Sequence, residues 1–251
     1  MVKPNYLITG ASRGIGFELV KQLSASDNAN HIFATCRNPE SSNALSKLAQ
    51  THKNVIIIKL DVTCDKEIDS ATKIVTDIVK EQGLNVLINN AGIYDKFGDG
   101  FLKDPRSEIT KIYDTNAIGP YMVMKGFIHL LKQAASETYP SIILNISSGL
   151  GSSTSAERFV TLMPRDSINI HYGATKAALN HYVKTSSLIL KEDHVSVFAM
   201  CPGWVRTDLG GEDADLTPEE SISSILDTLK NKLTLERSGE YVDNKGIIIP
   251  Y

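Results

Sequence analysis

Cysteine is scarce: the 251-residue chain has three, Cys36, Cys64 and Cys201. They are far apart, odd in number and never in a C-x-x-C pair, which argues against a disulfide framework or a zinc site and suits a reducing compartment. Long hydrophobic runs are also missing, and the apolar stretches are far too short to span a bilayer. The opening MVKPNYLITG enters an apolar run at once and leaves no room for a signal peptide, so a cytoplasmic protein is expected. Positive charge is not in excess. The net charge of −3 supplies no basic field for nucleic acid or a membrane surface, and neither is expected as a partner. His31, His52, His129, His171, His181 and His194 lack metal-ligand spacing, and no metal is expected. No repeat, low-complexity run or linker interrupts the chain.

What is present is ordinary globular material. Hydrophobic residues make up 42% and charged residues 22%, and a chain this long buries most of its apolar surface without staples. Short β-branched runs alternate with longer helical patterns. The strand candidates are 5–10, 31–36, 54–62, 85–92, 141–148, 195–203 and the terminal GIIIPY, 246–251. Each is apolar on both faces, as a central parallel strand must be. Between 65 and 83, Ile68, Ala71, Ile74, Val75, Ile78 and Val79 fall at helical spacing, with Gly83 as a stop. Alternation throughout implies an α/β chain: residues 1–251 as one doubly wound Rossmann-type domain, with a mostly parallel seven-stranded sheet and helices on both faces. Ligands of such sheets bind beyond the carboxyl ends of the strands.

TGASRGIG (9–16) follows the first strand and opens the first helix. Gly10, Gly14 and Gly16 permit a tight turn and close approach of backbone N–H groups to a pyrophosphate. Three Tyr-x-x-x-Lys pairs occur, at Tyr121 and Lys125, Tyr172 and Lys176, and Tyr241 and Lys245. The spacing alone is weak evidence for acid/base chemistry. Tyr121 and Lys125 lie in a long helical stretch whose Ile118, Met122, Phe127 and Leu130 suggest packing. Tyr241 and Lys245 flank a turn-like DNKG before the last strand candidate. Tyr172 alone follows a strand ending in serine and begins a helix, with Ala177, Ala178, Leu179 and Tyr182 to pack.

The glycine spacing, NNAG (89–92) and Tyr172-x-x-x-Lys176 together resemble the short-chain dehydrogenase/reductase family. Asp61 in LDV, Asn116, Ser148 in NISS and Thr207 in PGWVRT follow in family order, and the resemblance covers the whole chain. CPGWVRTDLGG and GIIIPY look most like the sniffer-type carbonyl reductases.

The resemblance implies a nicotinamide cofactor and NADPH-dependent reduction of an aldehyde, ketone or quinone. Ser12, Arg13 and Ile15 belong to the glycine loop. Arg37 stands after the second strand, where an acidic residue would favour NAD. Two guanidinium groups there suit a 2′-phosphate; the alternative is solvated surface arginines. Asp61 is expected at the adenine, with Val62 as a backbone contact. Asn90, Ala91 and Gly92 would line the adenosine side, and Pro202, Val205 and Thr207 the nicotinamide carboxamide. Tyr172 is the expected proton donor. A Lys176 cation about 5 Å away is worth roughly 3 kcal/mol, lowering the phenol by about two pKa units from its usual value of about 10. Lys176 would also reach the ribose. Ser148 is preferred to Ser147 because the family places its serine second. Asn116 would hold a water against the lysine, or else bond a neighbouring backbone.

Ser148 and Tyr172 are 24 residues apart, longer than the family commonly uses. The extra residues either wall the substrate site, through Phe159 or Met163, or form a surface excursion. DLGGEDADLTPEE resembles a mobile flap over the cofactor. The stripe in 120–132 suits either the family's homodimer interface or packing on the sheet. An NADP-linked alcohol or steroid dehydrogenase uses the same residues. A non-catalytic NADP-binding regulator is disfavoured by the intact Ser-Tyr-Lys set, and sugar epimerases by the glycine spacing and chain length.

Overall fold

The short β-branched runs become strands because helices cover both of their faces. β1 (Tyr6–Ile8), β2 (Ile32–Cys36), β3 (Val55–Lys59), β4 (Val86–Asn89), β5 (Ser141–Ile146), β6 (Val195–Cys201) and β7 (Tyr241–Asp243) make one seven-stranded sheet. All six neighbour pairings are parallel. With no wet side, β2 and β4 are buried along their whole length. The computed structural model describes residues 3–26, 28–94, 104–162 and 170–251.

The helices are α1 (Gly14–Ala25), α2 (Asn43–Thr51), α3 (Asp65–Val79), α4 (Arg106–Tyr113), α5 (Gly119–Ala134), α6 (Ala156–Leu162), α7 (Ile170–Leu190) and α8 (Pro218–Asn231). Successive strand residues point to opposite faces, so they feed different cores. Leu7 and Phe33 join Val75, Phe127, Leu130 and Val183 from α3, α5 and α7. Ile8 and Ala34 join Leu19, Leu45, Ile222 and Ile225 from α1, α2 and α8. Each large side chain buried in this way contributes about 1.5–3 kcal/mol.

The sheet order β3-β2-β1-β4-β5-β6-β7 places the functional site. The chain winds outward from β1 to β3, then returns to lay β4 against the other edge of β1. The loops after β1 and β4 therefore meet at the reversal point, where doubly wound sheets hold their ligands. Local signals fix several boundaries. Gly83 takes φ +66°, and a Cβ there would lie 2.5 Å from the Leu130 carbonyl oxygen. At α8, Thr217 and Glu220 form a reciprocal capping box ahead of Pro218.

Several sequence expectations need correction. GIIIPY is not the seventh strand. Tyr241–Asp243 pairs with β6, and the chain then turns back on itself. The Asp243 carboxylate accepts the Lys245 and Ile247 N–H groups, and Gly246 takes φ +78°. An antiparallel bridge joins Val242 and Ile248, leaving Ile247 and Ile248 exposed. DNKG thus follows the last strand instead of preceding it. Ile74 and Ile118 are exposed, not packed. The stripe of α5 packs on the sheet through Val123, Phe127, Leu130 and Leu131. The helix carrying Asn116 is interrupted by one π-helical turn, Asp114–Ile118.

Candidate active site

The glycine loop is built by close backbone approach. Gly10 (φ +68°) lies so near β4's loop that a Cβ would be 2.9 Å from the Ala91 Cα. A Cβ on Gly16 would collide with the Gly10 carbonyl oxygen and lie 2.5 Å from Asn90 Nδ2. Gly14 (φ +55°) faces the Thr207 methyl, 3.4 Å from where its Cβ would be. Buried Thr9 holds the two loops together: its hydroxyl oxygen accepts from the Asn90 and Ala91 N–H groups, each at 3.0 Å. Asn90 Nδ2 donates to the Thr9 and Gly10 carbonyls. Asn90 therefore shapes the loop through its side chain.

Helix α1 starts at Gly14 with no side-chain cap and no acid in its first turn. Its first N–H groups and the positive end of its dipole thus point toward an anion site. Ser12 is half-buried on the rim, and Ile15 packs back into the core. The loop fits a dinucleotide pyrophosphate, because glycine at positions 10 and 16 lets it pack tightly against Ala91 and Asn90 and leaves the uncapped α1 N–H groups open to an anion.

On the adenosine side, Arg37 is exposed immediately after β2. Arg13 is also exposed, but its guanidinium donates to the Asp208 carboxylate. That tie from the glycine loop to the segment after Thr207 was not anticipated. One Asp61 oxygen accepts from the Thr63 N–H and hydroxyl, closing the turn after β3. Val62 is buried under the start of α5, 2.8 Å from where a Gly119 Cβ would be. Gly92 is exposed beside this floor, and a Cβ there would lie 3.7 Å from Lys176 Nζ.

Ser148, Tyr172 and Lys176 come together at the carboxyl end of β5. The Ser148 hydroxyl lies close enough to the Tyr172 phenol to lower its pKa, and it accepts the Leu150 N–H. Ser147 points elsewhere, donating to Asn180 Oδ1 at 2.6 Å. One turn of α7 separates Tyr172 from Lys176, whose Nζ sits 5.6 Å from the phenol ring centre and donates to the Ile146 carbonyl at 2.8 Å. Burial lowers the lysine pKa to about 8. The expected depression of Tyr172 is not found: burial raises it, and the nearby Ser148 hydroxyl only partly opposes this. Removing a phenolate from water costs more here than a lysine itself shifted toward neutrality returns.

Asn116 is fully buried in the π-helical turn, a distortion common at functional sites. Its Oδ1 accepts the Ile93 N–H, and its Nδ2 donates to the Ile93 carbonyl, each at 2.8 Å, with Thr175 Oγ1 at 3.3 Å. It thus ties the loop after β4 to α7. Neither of the other two lysines is buried as Lys176 is. Tyr121 is exposed against the Tyr182 ring, and Lys125 is exposed. Tyr241 is buried in β7, while Lys245 is exposed in the turn that follows.

Beyond β6, buried Pro202 accepts from Ser221 Oγ through its carbonyl. Val205 is buried, and Val205 to Leu216 forms a parallel bridge. Thr207 accepts from the Gly210 N–H, and Trp204 Nε1 donates to the Gly210 carbonyl. The segment read as a flap is therefore folded on itself by hydrogen bonds. In the longer interval after Ser148, the Phe159 ring of α6 lies 2.8 Å from where a Gly149 Cβ would be. Ser152 and Thr154 donate to the Pro250 and Tyr251 carbonyls. Met163 lies outside the described residues. Tyr94 meets the Tyr172 ring edge-on at 5.0 Å.

Sequence reasoning gave Thr9 no role, although it stands directly before the first glycine and ties the two loops together.

Residues 5–217 match the family described as short chain dehydrogenase. The structure superposes on the carbonyl reductase Sniffer of D. melanogaster with a TM-score of 0.91 at 32% identity, covering 100% of both chains. It superposes equally on an NADPH-bound carbonyl reductase from chicken fatty liver, TM-score 0.91 at 33% identity, covering 100% of this chain and 96% of that one. An "uncharacterized oxidoreductase" of Schizosaccharomyces pombe is 33% identical, over 98% of this chain and 97% of that protein.

Proposed function

We infer the function from one premise: the chain belongs to the short-chain dehydrogenase family. It is an NADP-dependent oxidoreductase. We propose that residues 1–251 act as one cofactor-binding and catalytic unit that reduces a small carbonyl compound to its alcohol. One observation carries this: a buried Tyr172 close to the Ser148 hydroxyl, with Lys176 Nζ 5.6 Å from its ring, on the same sheet as an uncapped glycine-loop helix.

Bound NADPH supplies the hydride. The α1 N-terminus and the glycines would hold its pyrophosphate, Arg13 and Arg37 its 2′-phosphate, and Asp61 and Val62 its adenine. Gly92 and Lys176 would face the ribose, and Val205 and Thr207 the carboxamide. Tyr172 gives its proton to the carbonyl oxygen, within the same reach as the Ser148 hydroxyl, which donates to the developing alkoxide. The raised phenol pKa keeps Tyr172 protonated at neutral pH, the state that reduction requires. Charged Lys176 stabilises the tyrosinate left by proton transfer. Asn116 holds the loop after β4 against α7, and so positions the lysine's surroundings.

The test is turnover of benzaldehyde, cyclohexanone and 1,4-benzoquinone with NADPH and NADH in parallel, followed by nicotinamide absorbance. The proposal expects oxidation of NADPH with at least one carbonyl, and a preference over NADH. Stoichiometric NADPH binding without turnover of any carbonyl would instead fit a binding protein.

A further inference from the structure

Resting on the assignment of Ser148 above, we propose that Tyr241 is a positioning residue for the reaction, holding the Ser148 peptide in register with Tyr172. Three adjacent strands meet at this point. β5 ends into Ser148, β6 ends at Cys201, and β7 begins at Tyr241. The buried Tyr241 hydroxyl donates to the Ser148 carbonyl oxygen, which also accepts the Gly151 N–H at 2.8 Å. The next peptide is held from β6: the Gly149 N–H donates to Cys201 Sγ at 3.2 Å. The backbone carrying the catalytic hydroxyl is thus held at two successive peptides by side chains of β6 and β7.

This arrangement matters because Ser148 lies past the end of the β5 ladder. Its own backbone is extended (φ −158°, ψ 149°), and a 3₁₀ turn, Gly149–Gly151, follows at once. No strand pairing fixes the direction of its hydroxyl. Tyr241 replaces that missing constraint from 93 residues away. Burial raises the phenol pKa, so Tyr241 stays a donor throughout the working range. Its hydroxyl also lies near Asn180 and within electrostatic reach of Tyr172, so the double variant below separates an effect through Ser148 from a direct one. A misplacement of well under 1 Å at a catalytic group lowers rate without weakening cofactor binding.

The molecule contains its own control. Tyr251 packs its ring 5.8 Å from that of Tyr241, and its hydroxyl likewise donates to a backbone carbonyl, that of Gly239 at 2.6 Å. Tyr241→Phe and Tyr251→Phe each remove one such hydrogen bond and keep the ring; Tyr251 is the more exposed, so melting scores the stability of each variant separately. The experiment is single-turnover NADPH oxidation with the best carbonyl of the panel above, for both variants, Ser148→Ala and the double variant Ser148→Ala/Tyr241→Phe. Thermal melting and NADPH titration run alongside to score the folded, cofactor-competent fraction.

Tyr241→Phe should slow hydride transfer by about tenfold at unchanged NADPH affinity, while Tyr251→Phe transfers at the normal rate. The double variant should be no slower than Ser148→Ala, since Tyr241 then has nothing to position. Three results overturn the proposal: a normal rate in folded Tyr241→Phe, equal slowing by Tyr251→Phe, or a further tenfold loss in the double variant. A normal rate for Ser148→Ala would remove the serine assignment itself, and Tyr241's role with it. Failure of Tyr241 alone would leave that assignment standing.

Discussion

Lys176 is the side chain whose environment says most about its role. It is buried, one turn from Tyr172, and its pKa is lowered to about 8. Two outcomes follow, with the sign set by the depressed value. The rate of the chemical step in reduction should fall as pH rises through about 8, as the ammonium that stabilises the tyrosinate is lost. A pH–rate profile from single turnovers checks this; a flat profile between pH 6 and about 9 would contradict it. Stability moves the other way. Between about 8 and the ordinary lysine value the unfolded chain binds the extra proton, so the protein gains stability as pH rises across that window. Lys176→Met should therefore melt above wild type at pH 7, with the advantage narrowing toward pH 10.

Arg37 gives the residue-scale test of the cofactor. It stands exposed after β2, where an acid would accept from a ribose hydroxyl. Arg37→Asp should weaken NADPH relative to NADH by about tenfold to a hundredfold, the worth of one charge-assisted contact. Fluorescence titration with both cofactors measures the ratio, and an unchanged ratio would put the 2′-phosphate elsewhere. Arg13 carries less weight, because Asp208 already engages it.

Among the elements, those with strong local patterns were legible and those made by long-range contacts were not. α3 was readable from its apolar spacing, although it ends at Val79 and a 3₁₀ turn, Lys80–Gln82, separates it from Gly83, and α7 from the serine strand before it. β7 was misread because a β-branched run, GIIIPY, outweighed the shorter YVD, whose pairing partner Ala199 is remote in sequence. The π-helical turn at Asn116 has no period of its own within a continuous helical pattern. α6 supplies the element-scale prediction. Its Phe159 ring lies against Gly149, next to Ser148. Phe159→Ala should therefore change the ranking of carbonyl substrates while leaving NADPH affinity nearly intact. An identical substrate profile would place the ring outside the pocket.

Across the whole molecule, the position of the site follows from sheet order. The sequence carried the landmarks because glycine loop, serine, tyrosine and lysine each sit just after a strand or at a helix start. It did not carry the ties between them. Arg13 and Asp208 are 195 residues apart, and Tyr241 and Ser148 are 93 apart, so neither pair leaves a local pattern. The central claim is that Tyr172, and not either other Tyr-x-x-x-Lys tyrosine, donates the proton. Single-turnover hydride transfer, followed by NADPH absorbance in Tyr172→Phe and Tyr121→Phe, tests it most directly. Loss of the acid should slow transfer by roughly 10²–10⁴ with NADPH still bound, while Tyr121→Phe transfers normally. Near-normal transfer by folded Tyr172→Phe would contradict the account.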